Sequence, residues 1–178
     1  LARRNPAFRE GNVLLSMRYL DTIAVLDLDS ETIVWALNGM WRAQHQPTVL
    51  QNGHMLLFNN RAGRWFSEVL EFDPFSQEVF WSYRGDTSEV FYSDEAGSNQ
   101  RLPNGNTLIS ETDRGKAFEV TPEKTVVWKF LNPMRAGDEL EFIASLFEVV
   151  RLPPDFPLDW LEDADSTETP SRSEGSNR

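Results

Sequence analysis

The chain has 178 residues, 40% of them hydrophobic and 12% aromatic, which is enough apolar content for a packed core and unlike the composition of a disordered chain. Its 28 acidic residues outnumber its 17 basic ones and give a net charge of −11. Because no basic cluster offsets this charge, nucleic acid and anionic membrane surfaces are not expected as partners. Cysteine is absent, which excludes disulfides and cysteine-ligated metals. No apolar run approaches the roughly 18 residues that cross a bilayer, so no membrane insertion is expected.

The first predicted unit covers about residues 11–39 and is expected to contain three strands. A turn at Gly11 precedes the apolar strand of EGNVLLSMR. The stretch LDLDSETIVWALNG then predicts two more strands joined by a turn. Compared with the units that follow, this one lacks a first strand.

Two further units, at about 44–85 and 97–132, are each expected to contain four strands. A fairly polar strand such as HQPTVL or SNQRL is followed by an Asn-Gly turn and an apolar strand, seen in QNGHMLLFNN and PNGNTLISET. Strands like SEVLEFD and EVFWSY complete each unit. The stretch EVFYSDEAG between the units predicts a loop over one face, and a closing strand is expected within FIASLFEVVRL, at about 142–152.

The end of the chain has a different composition. EDADSTETPSRSEGSNR contains no large apolar residue, so burial cannot compensate for the entropy lost on ordering it. We therefore expect a folded part at 1–161 and a disordered polar tail at 162–178.

Three tryptophans define the repeat. Trp35, Trp81 and Trp128 recur every 46 or 47 residues in the same predicted strand, and a period of this length built from short strands is typical of β-propeller blades. A plain antiparallel sandwich is the alternative, but it does not predict the recurring tryptophan. The predicted class is all-β, with about three four-stranded antiparallel blades of a larger propeller, since rings usually need about four to eight.

Aligning the turn glycines of the units brings Arg18, Asn60 and Thr112 to equivalent strand ends. If the first two strands of each unit are the inner ones, these side chains converge on one rim. A cation, an amide and a hydroxyl together suit an oxyanion. The alternative is that they are ordinary polar strand ends facing solvent.

The two histidines occupy different kinds of position. In the alignment His45 faces Gly97, so it is specific to one unit and does not belong to the repeat. A neutral imidazole in a pocket can act as nucleophile or base, although a histidine bonded only to loop backbone remains an alternative. His54 stands where the other units carry Asn12 and Asn106, and we expect it to be polar, solvent-facing and without chemistry.

Other chemistries have no matching motif. DLDSE lacks the glycine and glutamate of an EF-hand loop, and the chain has no phosphate-binding glycine-rich loop, GxSxG or HExxH. No metal site or cofactor is therefore expected. A quinone stacked on the three repeated tryptophans is a third possibility, but packing between units explains one tryptophan per unit more simply.

The motifs, taken together, resemble the arylsulfotransferase family over about Gly11 to Leu161. They are Ser16-Met17-Arg18 with DTIAVLDLDSETIVW, Gln44-His45 before QNGHMLLFNN, LEFDP, GSNQRLPNGNTLISET, GKAFEVT and VVWKFLNP. The resemblance implies a six-bladed propeller whose central funnel holds a histidine that accepts sulfate from an aryl sulfate and passes it to a phenol, without a cofactor. It also implies export from the cytoplasm, although no targeting segment is visible.

The resemblance assigns roles to three residues. His45 is similar to the sulfate-accepting histidine and Arg18 to the arginine that binds the sulfate oxygens. Thr112 is a candidate for the hydroxyl ligand, and Asn60 is expected beside them. The chain departs from the family at Gln46 and Asn59, and it lacks an upstream His-x-Asn motif. The alternative function is a non-catalytic propeller that serves as a binding or interaction module.

Overall fold

The computed structural model describes residues 1–87 and 89–159. The first sheet has three antiparallel strands in the order β1-β2-β3, namely β1 Val13–Met17, β2 Thr22–Asp27 and β3 Thr32–Asn38. Three short 3-10 helices lie outside the strands of the sheets, at Pro6–Phe8, Arg18–Leu20 and Thr112–Arg114.

Two four-stranded sheets follow, each with its strands side by side in sequence order. The second sheet contains β4 His45–Val49, β5 Met55–Asn59, β6 Glu68–Phe72 and β7 Val79–Tyr83. The third contains β8 Ser98–Arg101, β9 Thr107–Glu111, β10 Lys116–Val120 and β11 Val126–Leu131. All of these strands pair antiparallel. The all-β class is therefore confirmed.

The region of the expected closing strand contains little regular pairing. A two-stranded sheet joins β12 Arg135–Ala136 to β13 Phe142–Ile143, and residues 144–152 form no strand. The side chain of Gln100 in β8 bonds to the backbone of Arg151 instead. Arg151 N donates to Gln100 Oε1 at 2.8 Å, and Gln100 Nε2 donates to Arg151 O at 3.3 Å. The segment thus runs beside β8 without a backbone ladder. The predicted tail at 162–178 lies outside the described residues.

The second sheet lies between the other two, because β5 buries both of its faces. Leu56 and Phe58 pack in a cluster shared with the third sheet, while Met55 and Leu57 pack in a cluster shared with the first. Successive side chains of a strand point to opposite faces, so an unbroken apolar strand such as MLLF suits this central position. The first strands of neighbouring sheets also meet, with β1 against β4 and β4 against β8.

Two of the three repeated tryptophans pack between sheets. Trp35 packs against the cluster between the first two sheets and lies 4.9 Å from the ring of Phe8. Trp81 packs against the other cluster, and its Nε1 donates to Pro122 O, in a turn of the third sheet, at 2.9 Å. These contacts between sheets favour packing over a quinone site.

The outer sheets expose large apolar side chains on strands β3 and β11. They are Ile33 and Val34 in the first sheet, and Val127, Trp128, Phe130 and Leu131 in the third. Within the described part of the chain, no helix has the length and apolar character needed to cross a bilayer.

Candidate functional site

His45 begins β4 beside a β-bulge. It pairs with Phe58, but the register with β5 shifts between His45 and Thr48. Gln46 supplies the extra residue and adopts a left-handed φ of 43°. Pro47 follows it, and because proline cannot donate to a ladder, it fits an interrupted strand. Bulges of this kind redirect neighbouring side chains and are common beside functional sites.

Gln44 fixes the chain just before His45. Its side chain is fully buried, and Nε2 donates to Ser16 Oγ at 3.2 Å and to Thr22 O at 2.9 Å. In return, Ser16 Oγ donates to Gln44 O at 3.0 Å. The backbone that carries His45 is therefore tied to β1 and β2 of the first sheet.

The contact between His45 and Asn60 determines the tautomer of the imidazole. Asn60 is fully buried, and its Nδ2 donates to the carbonyl oxygens of Ser93 at 3.0 Å and Ala96 at 2.5 Å. Both amide hydrogens are thus used, and the acceptor Oδ1 faces His45 Nδ1 at 2.7 Å. Nδ1 must carry the hydrogen in this bond, so the neutral ring keeps its lone pair on Nε2.

Arg18 lies at the end of β1 and is half-buried. Its Nη2 donates to Asp94 O at 3.2 Å, and its guanidinium lies 5.0 Å from the centre of the Tyr19 ring. No carboxylate in residues 1–87 or 89–159 forms an ion pair with Arg18. Its positive charge acts on the Asp94 carboxylate only from beyond ion-pair distance and, after the hydrogen bonds from Arg61, contributes to the lowered pKa of that group, so Arg18 keeps hydrogens that an anion can accept.

The segment of residues 93–96 joins the equivalent ends of β1, β5 and β9. Besides the bonds from Arg18 and Asn60, it receives a two-point ion pair from Arg61 Nε and Nη2 to the Asp94 carboxylate, at 2.6 and 3.0 Å. Hydrogen bonds from Arg61 are the main reason that the pKa of Asp94 lies below its ordinary value. Asp113 Oδ2 accepts from Asp94 N at 2.6 Å.

Thr112 is buried next to Asp113, and its hydroxyl has no hydrogen-bond partner in the described part of the chain. Its backbone oxygen accepts from Gly115 N and Leu146 N. Thr112 forms no hydrogen bond with Arg18, His45 or Asn60, and only its neighbour Asp113 contacts segment 93–96. An unpaired buried hydroxyl costs free energy unless a ligand or water completes it.

The sequence predicts only a loop at segment 93–96. Nothing in the letters SDEA indicates that backbone carbonyl oxygens of this segment accept hydrogen bonds from Arg18 and Asn60. Gln46 was noted only as a departure from the family pattern. Its Oε1 accepts from Asn99 N at 2.6 Å and its Nε2 donates to Glu148 Oε1 at 2.7 Å. The residue after His45 therefore connects β4 to β8 and to the segment that runs beside it.

His54 is more buried than the sequence suggested, with its side chain 19% exposed, because its ring stacks on Phe80 at 4.3 Å. Nδ1 lies 2.9 Å from Glu71 Oε1. Asn106 makes the equivalent bond in the third sheet, to Glu119 Oε1 at 2.6 Å. Burial alone would raise the pKa of Glu71, but bonds from His54 and Asn52 and the charge of Arg101 outweigh it and lower the pKa. His54 is thus part of a network of side-chain contacts between strands that includes the Arg101–Glu71 ion pair.

Residues 1–87 and 89–159 contain no group of three or more His, Cys, Asp or Glu side chains placed to hold a metal ion. Among the predicted site residues, the described structure joins His45 to Asn60, and it joins both Arg18 and Asn60 to segment 93–96, while Thr112 forms no hydrogen bond with any of them there.

The model of a protein family described as arylsulfotransferase (ASST) matches residues 5–133. The comparison with curated proteins gave no match. Among solved structures, the chain is similar to a protein of unknown function from Bacteroides caccae, with 16% sequence identity and a TM-score of 0.45. This similarity covers 68% of the present chain and 42% of the Bacteroides chain, so the present chain spans less than half the length of that structure.

Proposed function

Because the chain belongs to the arylsulfotransferase family, we propose that it transfers a sulfuryl group from an aryl sulfate to a phenol, with His45 as the residue that carries the group. The observation that carries this proposal is the bond between His45 Nδ1 and Asn60 Oδ1. It holds the imidazole in the tautomer whose Nε2 lone pair can attack sulfur.

The transfer would proceed in two displacements. His45 Nε2 forms a bond to sulfur while the bond from sulfur to the aryl oxygen breaks, and the phenolate leaves with that electron pair. The ring then carries a positive charge, which the Asn60 acceptor stabilises through Nδ1–H. A second phenol, whose proton passes to solvent water as it attacks, takes the sulfuryl group, and the electron pair of the broken N–S bond returns to Nε2. Because Asn60 is neutral, it orients the ring without making the N–S bond harder to break, as a carboxylate would.

Two groups would stabilise charge on the sulfuryl oxygens during each displacement. Arg18 offers a guanidinium without a carboxylate partner, and Thr112 offers an unpaired hydroxyl. Donors already in place cost no reorganisation when charge develops. Asn60 has no hydrogen left for a sulfate oxygen, because both are donated to carbonyl groups. We therefore assign Asn60 to positioning His45 and not to binding sulfate.

A propeller arrangement is part of the proposal. Apolar clusters lie on both faces of the second sheet, and contacts run from β1 to β4 and from β5 and β4 to β8, which agrees with inner strands of neighbouring blades meeting near a propeller axis. Apolar side chains on β3 and β11 of the outer sheets are exposed. Further sheets of the same kind would cover them, as neighbouring blades cover one another in a ring.

A non-catalytic binding module is the second candidate, and one contact favours it. Arg18 already donates to Asp94 O, which uses one of its five hydrogens on the protein itself. A binding module would retain an anion at Arg18 and Thr112 without ever forming a bond to His45.

Covalent labelling distinguishes the two candidates. After incubation with ³⁵S-labelled 4-nitrophenyl sulfate, the protein should carry an acid-labile label that is absent from His45→Asn. His54→Asn is the matched control, since His54 lies in a structural network, and it should label like the wild type. Equal labelling of His45→Asn and wild type would refute His45 as the carrier. A wild type that takes up no label would support the non-catalytic binding module instead.

A further inference from the structure

The loop between β5 and β6 forms one wall of a cleft beside the proposed site. Gly63 N donates to Phe66 O at 3.2 Å, which leaves Arg64 and Trp65 at the tip of a tight turn. A side chain at Gly63 would collide with the Phe66 ring, so the turn depends on glycine. At the end of the loop, Ser67 Oγ donates to Asn60 O at 2.7 Å. The tip is therefore held in place from both sides.

An aromatic surface lies exposed at this tip. Trp65 is 67% exposed, and its ring meets the Tyr92 ring at a centroid distance of 6.2 Å in an edge-on arrangement. The guanidinium of Arg64 lies 5.5 Å from the Trp65 ring centre. Tyr92 is held by its hydroxyl, which donates to Asp94 Oδ1 at 3.2 Å. An exposed indole on a fixed turn can stack against a planar ligand at little cost in conformational entropy.

The cleft has a volume of about 960 Å³ and a positive balance of charge. Its lining includes three arginines and two aspartates: Arg42, Arg61, Arg64, Asp21 and Asp94. Arg61 is compensated by Asp94. Neither Arg42 nor Arg64 forms an ion pair within the described part of the chain, so two exposed guanidinium groups face the cleft in a protein that is otherwise strongly acidic.

We propose that this cleft binds a small planar aromatic compound with an anionic substituent, whose ring stacks on Trp65 and whose charge pairs with Arg42 and Arg64. Aromatic and guanidinium groups together are suited to such a ligand. The net charge of −11 repels polyanions, while a local pair of cations still attracts a small anion. Naming aryl sulfates as its natural ligands rests on the proposed function, but binding itself does not.

The cleft adjoins the proposed site through shared residues. Arg61 follows Asn60 directly in the chain, and Asp94 lines the cleft while its carbonyl oxygen accepts from Arg18. Ala43, which also lines the cleft, lies two residues before His45. The cleft would therefore hold aryl compounds next to the histidine that accepts the sulfuryl group.

Calorimetric titration with 2-naphthalenesulfonate tests the proposal, because its carbon–sulfur bond cannot undergo the transfer. The wild type should bind one molecule per chain. Trp65→Ala should weaken binding about tenfold, and Arg64→Gln and Arg42→Gln should each weaken it severalfold. Neutral 2-naphthol should bind more weakly than the sulfonate.

Two substitutions at equally exposed positions outside the cleft serve as controls. Phe147 is 68% exposed, and Arg3 is exposed without an ion pair in the described residues; Phe147→Ala and Arg3→Gln should bind like the wild type. A dissociation constant for Trp65→Ala within twofold of the wild-type value would overturn the proposal, as would equal losses in the controls.

The labelling experiment separates this proposal from the proposed function. If the wild type is labelled at His45 but Trp65→Ala binds the sulfonate normally, the cleft proposal fails and the transferase remains. If no label forms but binding depends on Trp65 and Arg64, the cleft proposal stands and the transferase fails.

Discussion

Among single residues, Asn60 shows the largest difference between the role that the sequence predicts and the contacts that the structure contains. The alignment placed it with the candidate anion ligands, whereas its three hydrogen bonds direct it to His45 and to the backbone of segment 93–96. An amide whose two hydrogens are both donated to carbonyl groups has none left for a sulfate oxygen. Its contribution to transfer would therefore pass through the orientation of the imidazole.

Replacing Asn60 by alanine should slow labelling of His45 about 10- to 100-fold, the usual effect of removing a group that orients a functional histidine. Asn52→Ala, at the far end of β5, is the matched control and should label normally. Asn60→Asp offers a second readout, because a carboxylate would favour the protonated imidazole. The acidic limb of the pH–rate profile should then move to higher pH. An unchanged rate and profile in both variants would rule out the positioning role.

At the scale of secondary-structure elements, the approach of β8 to the second sheet depends on Gly97. This residue precedes β8 with a φ of 131°, and an ideal Cβ built there would lie 2.5 Å from the Phe58 ring. Phe58 is fully buried and cannot give way. In the alignment, Gly97 corresponds to His45, so the difference between the two units at this position has a packing reason in the third sheet.

Gly97→Ala should lower the free energy of unfolding by at least about 2 kcal/mol, because it adds both backbone strain and a steric clash. Gly39→Ala is the matched control. A Cβ there would meet only Gln77 Oε1, at 3.7 Å, and the change should stay within about 0.5 kcal/mol. Urea unfolding followed by circular dichroism measures both variants, and equal midpoints would contradict the packing role of Gly97.

At the scale of the whole molecule, paired carboxylates link distant parts of the chain. Arg4 donates to Asp73, connecting the start of the chain to the second sheet, and Arg101 and Arg151 reach Glu71 and Glu119. The pKa of Asp73 is well below its ordinary value of 3.8, chiefly because of the bonds from Arg4. The pKa of Glu119 is likewise lowered, first by the bond from Asn106.

Acid should therefore destabilise the protein. As the pH falls below the ordinary carboxyl values, the unfolded chain binds protons before the native carboxylates do, so stability present at pH 7 is lost progressively. The free energy of unfolding should decline from about pH 5 downward, and the decline should be shallower in Asp73→Asn, which has no proton to bind at that position. Asp138→Asn is the control, because Asp138 is exposed and forms no ion pair with any residue that the structure describes. Parallel pH curves for wild type and Asp73→Asn would contradict the prediction.

Local signals in the amino-acid sequence are sufficient to predict the all-β class and the positions of most strands. Alternating apolar residues and Asn-Gly turns are local signals, and β5 shows them in MLLF after the turn at Gly53. The spacing of the tryptophans predicts a repeat, and Trp35 and Trp81 each pack between sheets, but the repeat itself stays a prediction. The strand expected at about 142–152 is present only at Phe142–Ile143, because residues farther along bond to side chains of β8 instead of to its backbone.

The hydrogen bonds between polar residues of distant segments can be seen only in the folded chain. Sequence alignment could place Arg18, Asn60 and Thr112 at equivalent strand ends, but not show that segment 93–96 comes between them. The tautomer of His45 depends on Asn60, and the orientation of Asn60 depends in turn on carbonyl groups more than thirty residues away. Hydrogen bonds between distant segments leave no periodic trace in a sequence, because each requires only one suitable side chain and a folded backbone to receive it.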